Sequence, residues 1–214
     1  MNLITNPTEI EKRSFEIISS MLADREFDPL QINVIKRVIH TTADFDYADN
    51  MVFSDGAVMI AKEALKNGAR IVTDTNMAKS GINKRAALQL GCDLHCFIDA
   101  PEVAEAALKS GFTRAREAVD WAADTLENPM IFVVGNAPTA LMRLYDLITA
   151  RTLSPSLIIA AAVGFVNVVE SKEMIIELDV PYIAAKGQKG GSNVEAAICN
   201  ALLYETIGRN LTVV

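Results

Sequence analysis

Five short apolar runs, each followed by a longer amphipathic stretch, constrain the fold of this chain more than any other feature. They are Ala69-Arg-Ile-Val-Thr73, Leu94-His-Cys-Phe-Ile98, Met130-Ile-Phe-Val-Val134, Leu157-Ile-Ile-Ala-Ala161 and Pro181-Tyr-Ile-Ala-Ala185. Runs of this length read as strands buried on both faces. Helical spacing fills the intervals at about 55–67, 102–110, 114–126, 138–150, 167–178 and 191–206. The order is βαβαβ, and the economical solution is a mainly parallel sheet with helices on both faces. Two further helices precede it. One opens at Asn6-Pro-Thr-Glu, with Pro7 in its first turn, and runs to about Ala23; the other runs from about Asp28 to Ile39. With no repeat, low-complexity tract or linker, and 50% hydrophobic residues over 214 positions, the expectation is a single α/β domain spanning 1–214.

Composition removes several classes of function. A formal charge of −7 argues against nucleic acid as the main partner, because phosphate-backbone binding needs a dense positive field. The apolar stretch from Leu157 to Val166 is too short and too closely bounded by Gly and Pro to span a bilayer, and the amino end lacks the layout of a signal peptide. A soluble cytoplasmic protein without membrane contact is expected. The three cysteines, Cys92, Cys96 and Cys199, fit a reducing compartment. Two apparent metal sites fail on their chemistry. Strand alternation in Cys92-Asp-Leu-His-Cys96 would send His95 and Cys96 to opposite faces. The acidic series from Asp44 to Asp55 has Asp49 where a calcium loop needs glycine. No metal site is expected.

Chemistry near neutral pH is expected at Val38-Ile-His-Thr-Thr-Ala-Asp-Phe-Asp-Tyr47. It places His40 at the end of an amphipathic segment, with Thr41, Asp44 and Asp46 near enough in sequence to orient it. A histidine in that position can also simply cap its helix. Three loops after apolar runs suit an anionic ligand. Gly135-Asn-Ala-Pro-Thr-Ala-Leu141 opens a helix whose free N–H groups would face outward. Lys186-Gly-Gln-Lys-Gly-Gly-Ser-Asn193 combines three glycines with two lysines, with Ser192 or Asn193 available to cap the last helix. Ala162-Val-Gly-Phe-Val-Asn167 puts Gly164 where a flat ligand could lie against the backbone. Neither G-x-x-x-x-G-K-[ST] nor G-x-G-x-x-G occurs, so a nucleotide site has little support.

Eight segments, in order, resemble the precorrin-8X methylmutases of cobalamin biosynthesis. They are Ser14-Phe-Glu-Ile-Ile, Arg37-Val-Ile-His, Asp74-Thr-Asn-Met-Ala-Lys-Ser-Gly-Ile82, Thr113-Arg114, Gly135-Asn-Ala-Pro-Thr-Ala-Leu, Val163-Gly-Phe-Val, Glu170-Ser-Lys and Gly190-Gly-Ser192. The resemblance implies a cofactor-free homodimeric isomerase that moves a methyl group from C11 to C12 of a corrin precursor, which can itself carry cobalt. It puts the catalytic histidine at His40. Substrate contacts fall on Ser14, Arg37, Asn83, Arg114, Gly135, Asn136, Ala137, Thr139, Gly164, Lys189, Gly190, Gly191 and Ser192. The chain departs from the family pattern at Asn83, Ala115, Ala162, Gln188 and Lys189; replacing a forked guanidinium by Lys189 changes how side-arm carboxylates are gripped. The alternative to an enzyme is a noncatalytic tetrapyrrole carrier using the same pocket. Positive mean hydropathy of +0.22 adds to the expectation that part of the surface is covered by a second copy.

Overall fold

The computed structural model describes residues 3–209, so the outermost ends of the expected 1–214 domain lie outside the described residues. The chain begins with helices α1 (Pro7–Met21), α2 (Ile32–Thr42) and the short α3 (Tyr47–Asn50), then strand β1 (Met51–Phe53) and helix α4 (Ala57–Lys66). Strand β2 (Arg70–Thr73) is followed by helices α5 (Asn76–Gly81) and α6 (Lys84–Gln89), and β3 (Asp93–His95) by α7 (Pro101–Ser110) and α8 (Arg114–Thr125). The remaining units are β4 (Met130–Val134) with α9 (Pro138–Thr149), β5 (Leu157–Ala160) with α10 (Val168–Ile176), and β6 (Tyr182–Ala185) with α11 (Ser192–Thr206).

These strands form one six-stranded sheet in the order β1-β6-β5-β4-β2-β3, parallel throughout except that β1 pairs antiparallel with β6. All five expected strands are present, and helices occupy each interval read as helical. The central strands show why their sequences lack polar alternation. In β4, Ile131 and Val133 enter one hydrophobic core while Met130, Phe132 and Val134 enter the other, so every position is buried. The first core lies under α1, α2, α4 and α11; the second lies under α8, α9 and α10.

Four elements were not visible in the sequence. β1 has three residues, and its pairing comes from a distant partner, Met51 opposite Ala185. The helices α3, α5 and α6 have four, six and six residues, too few to show a helical period. Two boundaries also moved. α2 begins at Ile32 and continues to Thr42, so His40 sits within the last turn instead of after it, and Ala43 closes the helix with a left-handed φ of 54°. β3 ends at His95, because as an edge strand it pairs only with β2.

Truncating Phe132, which is fully buried in the second core, should cost about 3–5 kcal/mol as Phe132→Ala. Urea unfolding measures this; a loss near zero would show that β4 is not the packing centre of that layer.

Candidate active site

Open α/β sheets bind ligands beyond the carboxyl ends of their strands, where the strand order reverses. After β2 the chain steps outward to β3, then returns to place β4 on the other side of β2. The reversal therefore falls between Asp74, directly after β2, and Gly135, directly after β4.

Asp74 bridges that gap. Its carboxylate accepts the backbone N–H groups of Gly135 at 3.2 Å, Asn136 at 2.8 Å and Ala137 at 2.8 Å. This corrects the expectation that those groups point freely at a ligand. The positive amino end of α9 does bind an anion, but the anion belongs to the protein. The loop instead presents the exposed Asn136 and the hydroxyl of Thr139, which shares a 2.7 Å hydrogen bond with that of Thr113. Thr113 in turn caps α8 by accepting from the N–H of Arg116, and so sets the position of the exposed Arg114. Thr113, Arg116 and Thr139, with Gly111, Phe112 and Met142, line a hollow of about 210 Å³.

The two loops after β5 and β6 lie against each other. Gly191 donates to the carbonyl of Ala161 at 2.9 Å and Gly164 to that of Gln188 at 3.2 Å. A Cβ on Gly190 would stand 2.0 Å from the Ala161 oxygen, so only glycine fits. The expected side-chain cap of α11 is absent. Gly191 is the cap residue, and Ser192 instead shares a 2.7 Å hydrogen bond with Thr75, just past β2. Beneath both loops lies Lys172, only 1% exposed, whose ammonium donates to the carbonyls of Ala162 at 2.9 Å and Lys189 at 3.1 Å. Burial lowers its pKa to about 8.

Lys189 itself is exposed and turns to Asp44 at 2.5 Å and Asp46 at 2.6 Å, which raise its pKa. Lys186 lies 3.5 Å from Glu173. The expected orienting role of Thr41, Asp44 and Asp46 toward His40 is therefore not seen. The two aspartates bind Lys189, and the Thr41 hydroxyl donates to the carbonyl of Arg37 at 3.0 Å.

His40 is positioned by stacking. Its ring lies parallel to that of Phe15, with centroids 5.0 Å apart and planes within 9°. The guanidinium of Arg37 covers Phe15 at 4.7 Å and Tyr204 at 5.4 Å, and is paired with Glu11 at 3.0 Å. Arg37 is thus committed inside the protein. Burial lowers the pKa of His40, and the charge of Arg37 lowers it further, against an opposing pull from Glu11. Both effects favour the uncharged imidazole. Among the described residues no hydrogen bond engages its nitrogens, and it lines a pocket of about 260 Å³ with Ser14, Ile17, Met21, Ala43 and Phe45. The hydroxyl of Ser14 donates within its own helix to Ile10 at 2.9 Å.

The structure thus brings together Ser14 with His40, and the 135–137 loop with Gly190 to Ser192. Asn83 stands apart from both groups. It caps α6, and its amide donates to the Tyr204 hydroxyl at 3.0 Å, beside a different hollow lined by Arg37 and Asn200. Sequence reasoning missed the buried residues beneath the loops. Asp74 and Lys172 stood only inside the resembling motifs. Glu195 had one available signal, as the sole charge in the apolar stretch from Val194 to Leu203. Among the described residues no cluster of His, Cys, Asp or Glu could hold a metal ion, and no helix is long and apolar enough to cross a membrane.

An imidazole stacked on Phe15, with its nitrogens unengaged in a largely apolar pocket beside Ser14, is an arrangement suited to acid–base chemistry. The family model for precorrin-8X methylmutase matches residues 9–205. The cobalt-precorrin-8 methylmutase of Salmonella typhimurium is 46% identical over 209 residues, covering 95% of this chain and 98% of that one. The precorrin-8X methylmutase of Pseudomonas aeruginosa is 37% identical, covering 79% and 81%. The crystal structure of a precorrin-8X methylmutase from Thermus thermophilus superposes with a TM-score of 0.86 at 36% identity, covering 93% of this chain and 98% of that one. The chain belongs to the precorrin-8X methylmutase family, whose members are isomerases that move a methyl group within one molecule.

Lys172 yields a stability test. Its folded-state pKa of about 8 lies below the ordinary 10.5, so between those values the unfolded chain binds the extra proton and stability rises with pH. Relative to Lys172→Met, which has no such proton, the wild type should gain up to about 1.4 kcal/mol per pH unit across that window. Urea unfolding at a series of pH values measures the difference; a constant gap would mean that the amine is not desolvated.

Proposed function

We propose that this chain moves the methyl group from C11 to C12 of a corrin precursor in cobalamin biosynthesis, taking precorrin-8X to hydrogenobyrinate or the cobalt form to cobyrinate. It acts in the cytoplasm and uses no cofactor of its own. The observation that carries this reading is His40, an imidazole held by stacking, with both nitrogens unengaged, in one pocket with Ser14. A substrate bearing several carboxylates brings negative charge toward a histidine whose pKa is depressed by burial and by Arg37. That charge favours the imidazolium, so His40 takes up a proton as the substrate binds. The imidazolium then draws electron density from the macrocycle and stabilises the charge that develops as the methyl group migrates. Where cobalt fills the ring nitrogens, this effect acts through space. Arg114 and the neighbouring loops hold side-arm carboxylates.

The same reading includes a homodimer. Ile17 and Met21 are exposed at the mouth of the His40 pocket, and Phe165 and Val166 project from the loop after β5, with Phe165 87% exposed. Apolar side chains so placed around a ligand site favour cover by a second copy.

His40→Ala should fold normally and bind corrinoid, and its turnover of precorrin-8X and cobalt-precorrin-8 should fall at least about a hundredfold. Calorimetry in buffers of different ionisation enthalpy at pH 7 should show proton uptake on binding in the wild type and none in the variant. Turnover near wild-type would remove His40 from the mechanism. Sedimentation at assay dilution should show activity falling as the dimer dissociates; a fully active monomer would overturn the homodimer while leaving the methyl shift in place.

A further inference from the structure

A second carboxyl lies beside Asp74 that neither the fold nor the methyl shift accounts for. Glu195, on the first turn of α11, is 0% exposed, and neither of its oxygens has a hydrogen-bonding partner of good geometry among the described residues. It fills the space beside Gly135, where a Cβ would stand 2.6 Å from its carboxyl carbon. Asp74, 7% exposed, approaches the same point from the end of β2. Burial pushes Glu195 well above the usual carboxylate range, and the charge of Asp74 pushes it further, while the Ser192 hydroxyl pulls it down. Burial also raises Asp74, but its three backbone donors and Glu195 oppose that rise. The other titratable neighbours are the thiols Cys96, past the end of β3, and Cys199, one turn further along α11. Among the described residues neither carboxyl is paired with a lysine, arginine or histidine side chain.

Two carboxyls held against the same residue, Gly135, away from water and without a paired cation, strongly disfavour double ionisation. We propose that Asp74 and Glu195 share one proton and act together as a positioning pair for the substrate cradle. Asp74 is the carboxylate, since it already accepts three N–H groups, and Glu195 is the acid. From this point contacts run outward to two of the candidate binding segments. Asp74 holds residues 135–137, whose helix carries Thr139 against Thr113 at the start of the Arg114 helix. Glu195 stands one turn after Ser192, which is tied to Thr75. The proton lets the ends of β2, β4 and α11 meet without charge repulsion. Neither residue needs to touch the substrate. The effect on turnover rests on the methyl-shift reading; the proton itself does not.

The test uses the intact protein at neutral pH. Infrared spectroscopy should show the C=O stretch of a buried protonated carboxyl, shifted in heavy water and absent from Glu195→Gln. Because glutamine keeps the shape and a donor toward Asp74, Glu195→Gln should retain KM and kcat within about threefold. Asp74→Asn, which offers an amide where three N–H groups need an acceptor, should raise KM for the corrin precursor by roughly tenfold or more. Glu195→Leu suits the apolar helix and serves if Asp74→Asn fails to fold. It should raise KM similarly by leaving Asp74 without its proton partner. Absence of the carboxyl band from the wild type, or wild-type KM in both Asp74→Asn and Glu195→Leu, overturns the proposal. If the wild type turns over neither precursor, the methyl-shift reading falls, and the band alone then decides whether the pair holds a proton.

Discussion

The carboxylate of Asp74 is the contact on which the upper edge of the sheet depends. A strand end, a loop and a helix start meet where the strand order reverses, and the helix start brings unpaired N–H groups into a buried place. Three of them converge on one side chain from the neighbouring strand. Without that acceptor, residues 135–137 would need water or a ligand to satisfy them, and the loop would be ordered only when the site was full. With it, the cradle is formed before anything binds.

Lys172 does for the other half of the rim what Asp74 does for this half. Its ammonium ties the carbonyls of Ala162 and Lys189 from below, and Gly190 allows the two loops to close to backbone contact. The acidic and basic anchors are both buried, and both bind backbone instead of each other. Each costs desolvation, offset by hydrogen bonds that are stronger in the low-dielectric interior. The exposed cations behave differently. Lys189 and Lys186 face acidic neighbours in water, where such pairs contribute little stability. The rim thus combines a rigid backbone frame with adaptable charges above it, in a protein of net negative charge.

His40 follows the same division. Arg37, Phe15 and the imidazole form a stack in which Glu11 pairs with the guanidinium and only partly offsets its effect on the histidine. The stack fixes the ring plane without a hydrogen bond, which leaves both nitrogens for chemistry. Burial and the nearby cation both disfavour the charged form of the ring.

The apolar runs by themselves determined the five long-range parallel strands and the helices between them, because double-sided burial leaves no polar alternation to confuse with a surface strand. The glycine-bearing loops and His40 could be singled out for a similar reason: residue types that tolerate close backbone approach or titrate near neutrality are few. What the tertiary structure alone decided is which groups those loops leave open. The amino end of α9 looks like a ligand site in sequence, yet Asp74, sixty-one positions away from Gly135, occupies it. Lys189 looks like a substrate cation, yet Asp44 and Asp46, on a distant segment, hold it. Glu195 and Lys172 look like ordinary charges on helices, and only the packing of α10 and α11 against the sheet shows them to be buried anchors. Local patterns report periodicity and chemistry over a few residues. The partner of a buried charge is chosen by how strands and helices from distant parts of the chain come together, and that choice exists only in the folded molecule.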